Sequence, residues 1–127
     1  MAILLTGASG FVGAFVQRQI PCIPFDRGAQ QVDLRDAGEV RLAVEQIRPV
    51  GVVHLAAQSL VPASFERPRE TYDINLLGTL NLLVALKESG FRGRTLFVGL
   101  GDPYGRVPEE RLPLAEDQPS DRVVPMR

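Results

Sequence analysis

The chain has 127 residues, 14 of them basic and 15 acidic, with one histidine and one cysteine. This length suits one domain of ordinary size, and a net charge of −1 gives no reason to expect nucleic acid or a membrane as partner. One cysteine excludes an internal disulfide, and one cysteine with one histidine argues against a metal centre. The first residues resemble no signal peptide and no apolar run reaches the roughly 20 residues of a membrane span. We therefore expect a cytoplasmic protein.

Short apolar runs alternate with amphipathic stretches, and this alternation predicts an α/β fold. The predicted strands are residues 2–6, 22–25, 51–55 and 94–98, with a short edge strand possible at 30–33. The predicted helices are residues 11–20, a segment from an N-cap at Asp36 to Pro49, and residues 69–89. Crossovers between parallel strands are right-handed, so the expected fold class is a doubly wound parallel sheet, incomplete, with about four or five strands.

Local patterns give further detail. Asp36 followed by Glu39 has the spacing of a capping box. Residues 56–68 contain Pro62 and Pro68 and are predicted to form a loop. The long helix is predicted to face the core with one stripe of residues: Leu76, Leu77, Leu80, Leu83 and Val84.

The last part of the chain differs in composition from the rest. Residues 99–127 contain five prolines and many charges without helical or strand periodicity. We expect a domain at 1–98 followed by an extended, proline-rich surface segment at 99–127.

A glycine-rich turn follows the first strand, where Gly7, Gly10 and Gly13 recur at a spacing of three. Glycine allows a sharp turn and lets a pyrophosphate approach without a Cβ in the way. The helix that follows directs its first N–H groups and its positive end toward such an anion. The turn therefore predicts a dinucleotide site, and the alternative is a glycine-rich turn without ligand.

Asp26 ends the second predicted strand, nineteen residues after Gly7. A carboxylate there can accept hydrogen bonds from the ribose hydroxyls of NAD and would repel the 2′-phosphate of NADP. Arg27 beside it could instead pair with that phosphate. Asp26 and Arg27 thus leave the choice between NAD and NADP open.

The motifs together resemble a known family. Thr6 to Gly13 reads T-G-x-x-G-x-x-G, residues 54–58 read H-L-A-A-Q, and residues 74–79 read I-N-L-L-G-T. These stretches resemble the extended short-chain dehydrogenases/reductases, the NAD-dependent epimerases and dehydratases of nucleotide sugars. Within that family, the stretch from Val61 to Gly93 is similar to bacterial GDP-4-dehydro-6-deoxy-mannose reductases.

The resemblance implies a Rossmann-like fold that binds NAD or NADP, and an enzyme that passes hydride to the C4 ketone of a GDP-sugar. It also implies a dinucleotide as partner, with a GDP-sugar possible. Besides Asp26 and Arg27, the expected cofactor contacts are Gly7, Ser9, Gly10, Phe11, Val12, Gly13, Asp33, Leu34, Leu55, Ala56, Ala57, Gln58 and Asn75. His54 is structural in such proteins and receives no role. Asp33 could alternatively cap a turn, and Asn75 could satisfy a buried backbone group.

The chain departs from the family pattern at the catalytic positions. The Ser or Thr expected after the last strand is replaced by Leu100, and neither Tyr72 nor Tyr104 has a lysine four residues later. Such a lysine lowers the pKa of the tyrosine so that the phenol can exchange a proton near neutral pH. We therefore expect no catalytic residue and no metal ligand in these 127 residues. Whether the chain is an enzyme stays open, and the alternative is a truncated, non-catalytic dinucleotide-binding module or a gene fragment.

The predicted sheet also has a consequence for association. Strand 94–98 is apolar and would lie at an edge, which favours pairing between chains. We therefore expect a homo-oligomer or a marginally stable chain.

Overall fold

The computed structural model describes residues 2–26, 32–99, 104–105 and 107–118. The chain divides into two compact units, Met1–Phe97 and Val98–Arg127. In the second unit the described part includes the short 3₁₀ helix Glu109–Arg111, and no described residue from 104 to 118 is buried.

The first unit contains a four-stranded sheet. The strands are β1 (Ile3–Thr6), β2 (Ile23–Phe25), β3 (Gly51–His54) and β4 (Arg94–Phe97). All neighbours pair in parallel, in the order β2-β1-β3-β4. The expected fold class is confirmed: the sheet is parallel and Rossmann-like. Since β1 lies between β2 and β3, the strand order reverses beside β1, and in open α/β sheets ligands bind at the carboxyl ends of the strands at such a point.

Helices connect the strands. They are α1 (Phe11–Gln19), α2 (Ala37–Ile47), α3 (Val61–Glu66), α4 (Pro68–Tyr72) and α5 (Gly78–Glu88), with a π-helical turn, Asp73–Leu77, joining α4 to α5. Among the described residues, no helix is both long and apolar enough to cross a membrane.

The core lies between the sheet, α2 and α5. Its buried side chains come from all three and from the segment before α2: Leu4, Phe25, Val32, Leu34, Val40, Val44, Val52, Leu82, Ala85 and Leu86. The predicted N-cap of α2 is confirmed, because the Asp36 carboxylate accepts the Glu39 N–H at 3.0 Å. The Glu39 carboxylate does not complete a capping box as predicted but accepts the N–H of Asp33 at 3.1 Å.

The predicted core stripe of the long helix is wrong. Its five members are exposed by between 42% and 58%: Leu76, Leu77, Leu80, Leu83 and Val84. The buried residues of α5 lie on the opposite face and include Gly78, where an added Cβ would lie 3.1 Å from the Cβ of Leu34. The helix is apolar on both faces, so periodicity alone could not identify the face that packs.

Two further expectations need correction. The predicted loop 56–68 contains α3, since Pro62 stands in the first turn of that helix, where a missing N–H costs no hydrogen bond. Pro68 begins α4 for the same reason. Of the possible edge strand 30–33, the two described residues, 32 and 33, belong to no strand, and 30 and 31 lie outside the described residues.

Candidate functional site

The glycine turn connects β1 to α1 at the carboxyl edge of the sheet. Gly7 has a φ of +69°, and its carbonyl oxygen accepts the N–H of Gly10 at 3.0 Å. A Cβ on Gly13 would lie 2.3 Å from the Gly7 oxygen and 2.7 Å from the Cα of Ala8. Gly13 therefore allows the first turn of α1 to pack directly on the backbone of the glycine turn.

Gly7 allows a second close approach. A Cβ there would lie 2.8 Å from both the nitrogen of Ala56 and the carbonyl carbon of Leu55. These two residues follow β3, so the turns after β1 and β3 touch through their backbones. Gly10 is the N-cap of α1 and contributes no side chain to the first N–H groups of the helix.

Asp26 follows β2 and reaches the glycine turn. Its Oδ2 accepts the backbone N–H of Ser9 at 3.1 Å. The structure therefore brings together the glycine turn and the carboxylate that the sequence predicted as a ribose contact. The adjacent Arg27 lies outside the described residues.

Asp33 and Leu34 lie between β2 and α2. The guanidinium of Arg35 donates to both carboxylate oxygens of Asp33, from Nε to Oδ1 at 3.0 Å and from Nη2 to Oδ2 at 2.5 Å. Hydrogen bonding to Asp33 raises the pKa of Arg35, which stays charged. Asn81 of α5 donates to the carbonyl oxygen of Leu34 at 2.8 Å and fixes this segment from the helix side.

The segment 55–58 after β3 is held at both ends. The N–H groups of Leu55 and Ala56 each donate to Thr6 Oγ1 at 3.1 Å. The Asn75 side chain accepts the N–H of Gln58 at 2.7 Å and donates to its carbonyl oxygen at 3.0 Å. The segment is therefore clamped between the end of β1 and the π-helical turn.

These pieces surround one open cleft of about 780 Å³. It is lined by thirteen of the predicted contacts: Gly7, Ser9, Gly10, Phe11, Val12, Gly13, Asp26, Asp33, Leu34, Leu55, Ala56, Ala57 and Gln58. Asn75 is not among the lining residues, and its side chain satisfies the backbone of Gln58, which was the alternative interpretation of that residue.

Sequence reasoning missed several lining residues: Phe25, Val32, Arg35, Ser59, Glu70 and Ile74. Most are immediate neighbours of predicted contacts, and that adjacency was the available signal. Glu70 is different, because it reaches the cleft from α4, a helix whose position depends on tertiary packing.

His54 lies beneath the cleft and is 4% exposed. Its ring nitrogens are 2.7 Å from Thr6 Oγ1 and 2.9 Å from Thr79 Oγ1. Burial lowers the pKa of His54, which keeps the ring neutral. The ring of Phe97 lies 5.5 Å away, centroid to centroid.

Comparison with known proteins places the chain in a family. The model of the NAD dependent epimerase/dehydratase family matches residues 3–127. The chain belongs to this family. A curated member, the GDP-6-deoxy-D-mannose reductase of Pseudomonas aeruginosa, is 38% identical over 122 residues, which are 91% of this chain and 39% of that protein.

The solved structures that the chain resembles include two with a bound dinucleotide. The structure of RMD from Pseudomonas aeruginosa complexed with NADPH gives a TM-score of 0.75 at 38% identity, over 94% of this chain and 42% of that one. The UDP-glucose 4-epimerase of Thermus thermophilus in complex with NAD gives a TM-score of 0.72 at 35% identity, over 86% and 41% of the two chains. The chain thus spans about two fifths of the length of these family members.

Proposed function

We propose that the cleft binds NAD or NADP. The observation that carries this proposal is the meeting of three segments at the carboxyl ends of β1, β2 and β3: the glycine turn, Asp26 and segment 55–58. A volume of about 780 Å³ falls within the range of small-molecule sites. We further propose that the unit Met1–Phe97 carries this site.

Each part of the cleft suits one part of a dinucleotide. The pyrophosphate would lie over Gly10 at the start of α1, where the helix N–H groups and dipole favour an anion. A carboxylate can accept several hydrogen bonds, so the contact of Asp26 with Ser9 is compatible with contacts to ribose hydroxyls. The adenine would lie near Val32 and Leu34, whose apolar side chains line the cleft.

The finer proposal is that the chain is the dinucleotide-binding part of a GDP-6-deoxy-D-mannose reductase. The identity of 38% over 91% of the chain supports it. When bound, a reduced nicotinamide would supply hydride for a C4 ketone of a GDP-sugar. The chain's residues would hold the cofactor, while the proton-transfer pair of tyrosine and lysine has no counterpart in the 127 residues.

A second candidate is a dinucleotide-binding module without turnover. The leucine at position 100 and the missing tyrosine–lysine spacing favour it. Assaying the chain with a GDP-4-keto-6-deoxy-sugar and NADPH tests whether it turns over on its own. Oxidation of NADPH would refute the module, whereas binding without oxidation is expected of the module and of a reductase part that lacks the tyrosine–lysine pair.

We also propose a cytoplasmic homo-oligomer. A lone, half-buried cysteine, Cys22, suits a reducing compartment. The exposed apolar faces of α5 and β4 favour self-association.

Calorimetric titration with NADPH and with NADH tests the dinucleotide site. We expect one of them to bind, Gly10→Val to abolish binding, and Gly51→Ala to leave it unchanged. A Cβ at Gly10 would already lie 3.2 Å from the Gly7 oxygen, whereas one at Gly51 makes only ordinary contacts at 3.7 Å. Failure of the wild-type chain to bind either dinucleotide would refute the proposal.

The same titration with Asp26→Asn tests the cofactor choice. If Asp26 selects NAD, neutralising it should improve NADPH binding relative to NADH, because the repulsion of the 2′-phosphate is removed. An unchanged ratio would show that another residue selects the cofactor.

A further inference from the structure

Three buried or half-buried side chains form a continuous hydrogen-bond chain beneath the cleft. Thr6 at the end of β1 contacts His54 Nδ1 at 2.7 Å, and His54 Nε2 contacts Thr79 of α5 at 2.9 Å. Thr6 is fully buried and Thr79 is half-buried. Two strand ends and a helix are therefore linked through side chains at the floor of the site.

The direction of each hydrogen bond follows from counting hydrogens. Thr6 Oγ1 accepts the N–H groups of Leu55 and Ala56, both at 3.1 Å. A hydroxyl has two lone pairs and one hydrogen, so the hydrogen of Thr6 is left for His54 Nδ1. A neutral histidine that accepts at Nδ1 carries its proton on Nε2.

The hydrogen bonds of Thr79, at the other end of the hydrogen-bond chain, agree with this assignment. Thr79 Oγ1 donates to the carbonyl oxygen of Asn75 at 2.8 Å. Its lone pairs are then available to accept from His54 Nε2–H. All the hydrogen bonds are satisfied with one ring tautomer.

The hydrogen-bond chain from Thr6 to Thr79 holds segment 55–58, which forms one wall of the cleft. Thr6 holds Leu55 and Ala56, and Asn75, whose carbonyl accepts from Thr79, clamps Gln58. The wall is also in tight contact with the glycine turn, since a Cβ on Gly7 would lie 2.8 Å from the Ala56 nitrogen. A shift of the segment therefore changes the width of the cleft.

We propose that His54, as the Nε2–H tautomer, is a positioning residue that sets the width of the dinucleotide cleft through Thr6 and Thr79. It is not among the residues that line the cleft, and it acts by orienting the Thr6 hydroxyl so that both lone pairs face the N–H groups of Leu55 and Ala56. The inference rests on the proposed dinucleotide binding.

Nuclear magnetic resonance of nitrogen-labelled histidine tests the tautomer directly. The chain has one histidine, so all labelled signals come from His54. We expect the Nε2–H form in the wild-type protein. A predominant Nδ1–H form, or a protonated ring at neutral pH, would overturn the proposal.

Matched threonine variants test the positioning role. We expect Thr6→Val and Thr79→Val to bind the dinucleotide about tenfold more weakly, because each removes a hydroxyl that links His54 to the wall of the cleft, and Thr6→Ser and Thr79→Ser to restore binding. Thr95→Val, in exposed β4, is the control outside the network. Thr79→Val keeps the test valid if Thr6→Val fails to fold, and valine variants that fold and bind like wild type would overturn the proposal.

Amide hydrogen exchange separates this proposal from the proposed function. If the wild-type chain binds neither dinucleotide, dinucleotide binding fails, but exchange at Leu55, Ala56 and Gln58 still reports on the segment. Faster exchange in Thr79→Val than in Thr79→Ser would support positioning by the network. Equal exchange in the two variants would overturn it.

Discussion

Of the three glycines in the turn, Gly13 leaves the least room for a side chain. A Cβ there would lie 2.3 Å from the backbone oxygen of Gly7. We expect Gly13→Ala to lower the free energy of unfolding by about 3 kcal/mol, because the backbone of α1 and the turn must separate. Denaturant unfolding measures this loss. Gly51→Ala is the control and should change stability little, so equal stability of both variants would contradict the contact.

His54 predicts a pH dependence at the same scale. Burial lowers the pKa of His54 below its ordinary value of 6.5, so the unfolded chain binds a proton that the folded chain does not. The free energy of unfolding is therefore not reduced by this titration above pH 6.5. It declines as the pH falls from 6.5 toward the lower folded-state pKa of His54.

The single histidine makes this effect measurable on its own. Titration followed by nuclear magnetic resonance gives the pKa of His54 in the folded state, apart from the carboxylates that also titrate in acid. A folded-state pKa at or above 6.5 would contradict the expected direction.

At the scale of elements, the two apolar faces of α5 differ in burial. Leu82 is 1% exposed and its neighbour Leu83 is 47% exposed. We expect Leu82→Ala to lower the free energy of unfolding by about 3 kcal/mol and Leu83→Ala by less than about 1 kcal/mol. Denaturant unfolding of the pair checks which face packs, and the reverse order would restore the stripe predicted from sequence.

The elements that were predicted well carry local signals. Asp36 caps α2 by accepting a hydrogen bond from the residue three positions later, and Gly10 and Gly13 meet atoms of the same turn, no more than six residues away. The position of the cleft could be predicted as well, because the carboxyl ends of parallel strands lie at the same edge of the sheet.

The elements that were missed depend on distant partners. The packed face of α5 is decided by α2, which lies more than thirty residues earlier in the sequence. The entry of Glu70 into the cleft depends in the same way on where α4 packs. Pro62 and Pro68 predict a loop from sequence alone, because the pattern does not show that each stands in the first turn of a helix.

At the scale of the whole molecule, apolar surface is the main feature. Among the described residues, β4 pairs only with β3, and all four of its residues are exposed. The outer face of α5 exposes further leucines, including Leu80 and Leu83. An exposed strand edge and a leucine face both favour association between copies.

Self-association is therefore expected in solution. Sedimentation at increasing concentration should show dimers or larger species, and the double variant Leu80→Glu with Leu83→Glu should shift them toward monomer. Leu42→Glu, at a leucine of α2 that is 53% exposed, is the control and should not. A wild-type chain that stays a monodisperse monomer at high concentration would contradict the expectation.

The central place of β1 also governs the order in which the site can form. Thr6 pairs with His54 across 48 residues, and the wall of the cleft is fixed only after β3 has docked beside β1. Contacts between segments so far apart in sequence form slowly, because the intervening chain must first lose its freedom. A chain of which only β1, α1 and β2 have been synthesised therefore has the glycine turn. It has no cleft, because the segment after β3 is missing. A dinucleotide would bind late in folding and would draw the equilibrium toward the folded state by mass action.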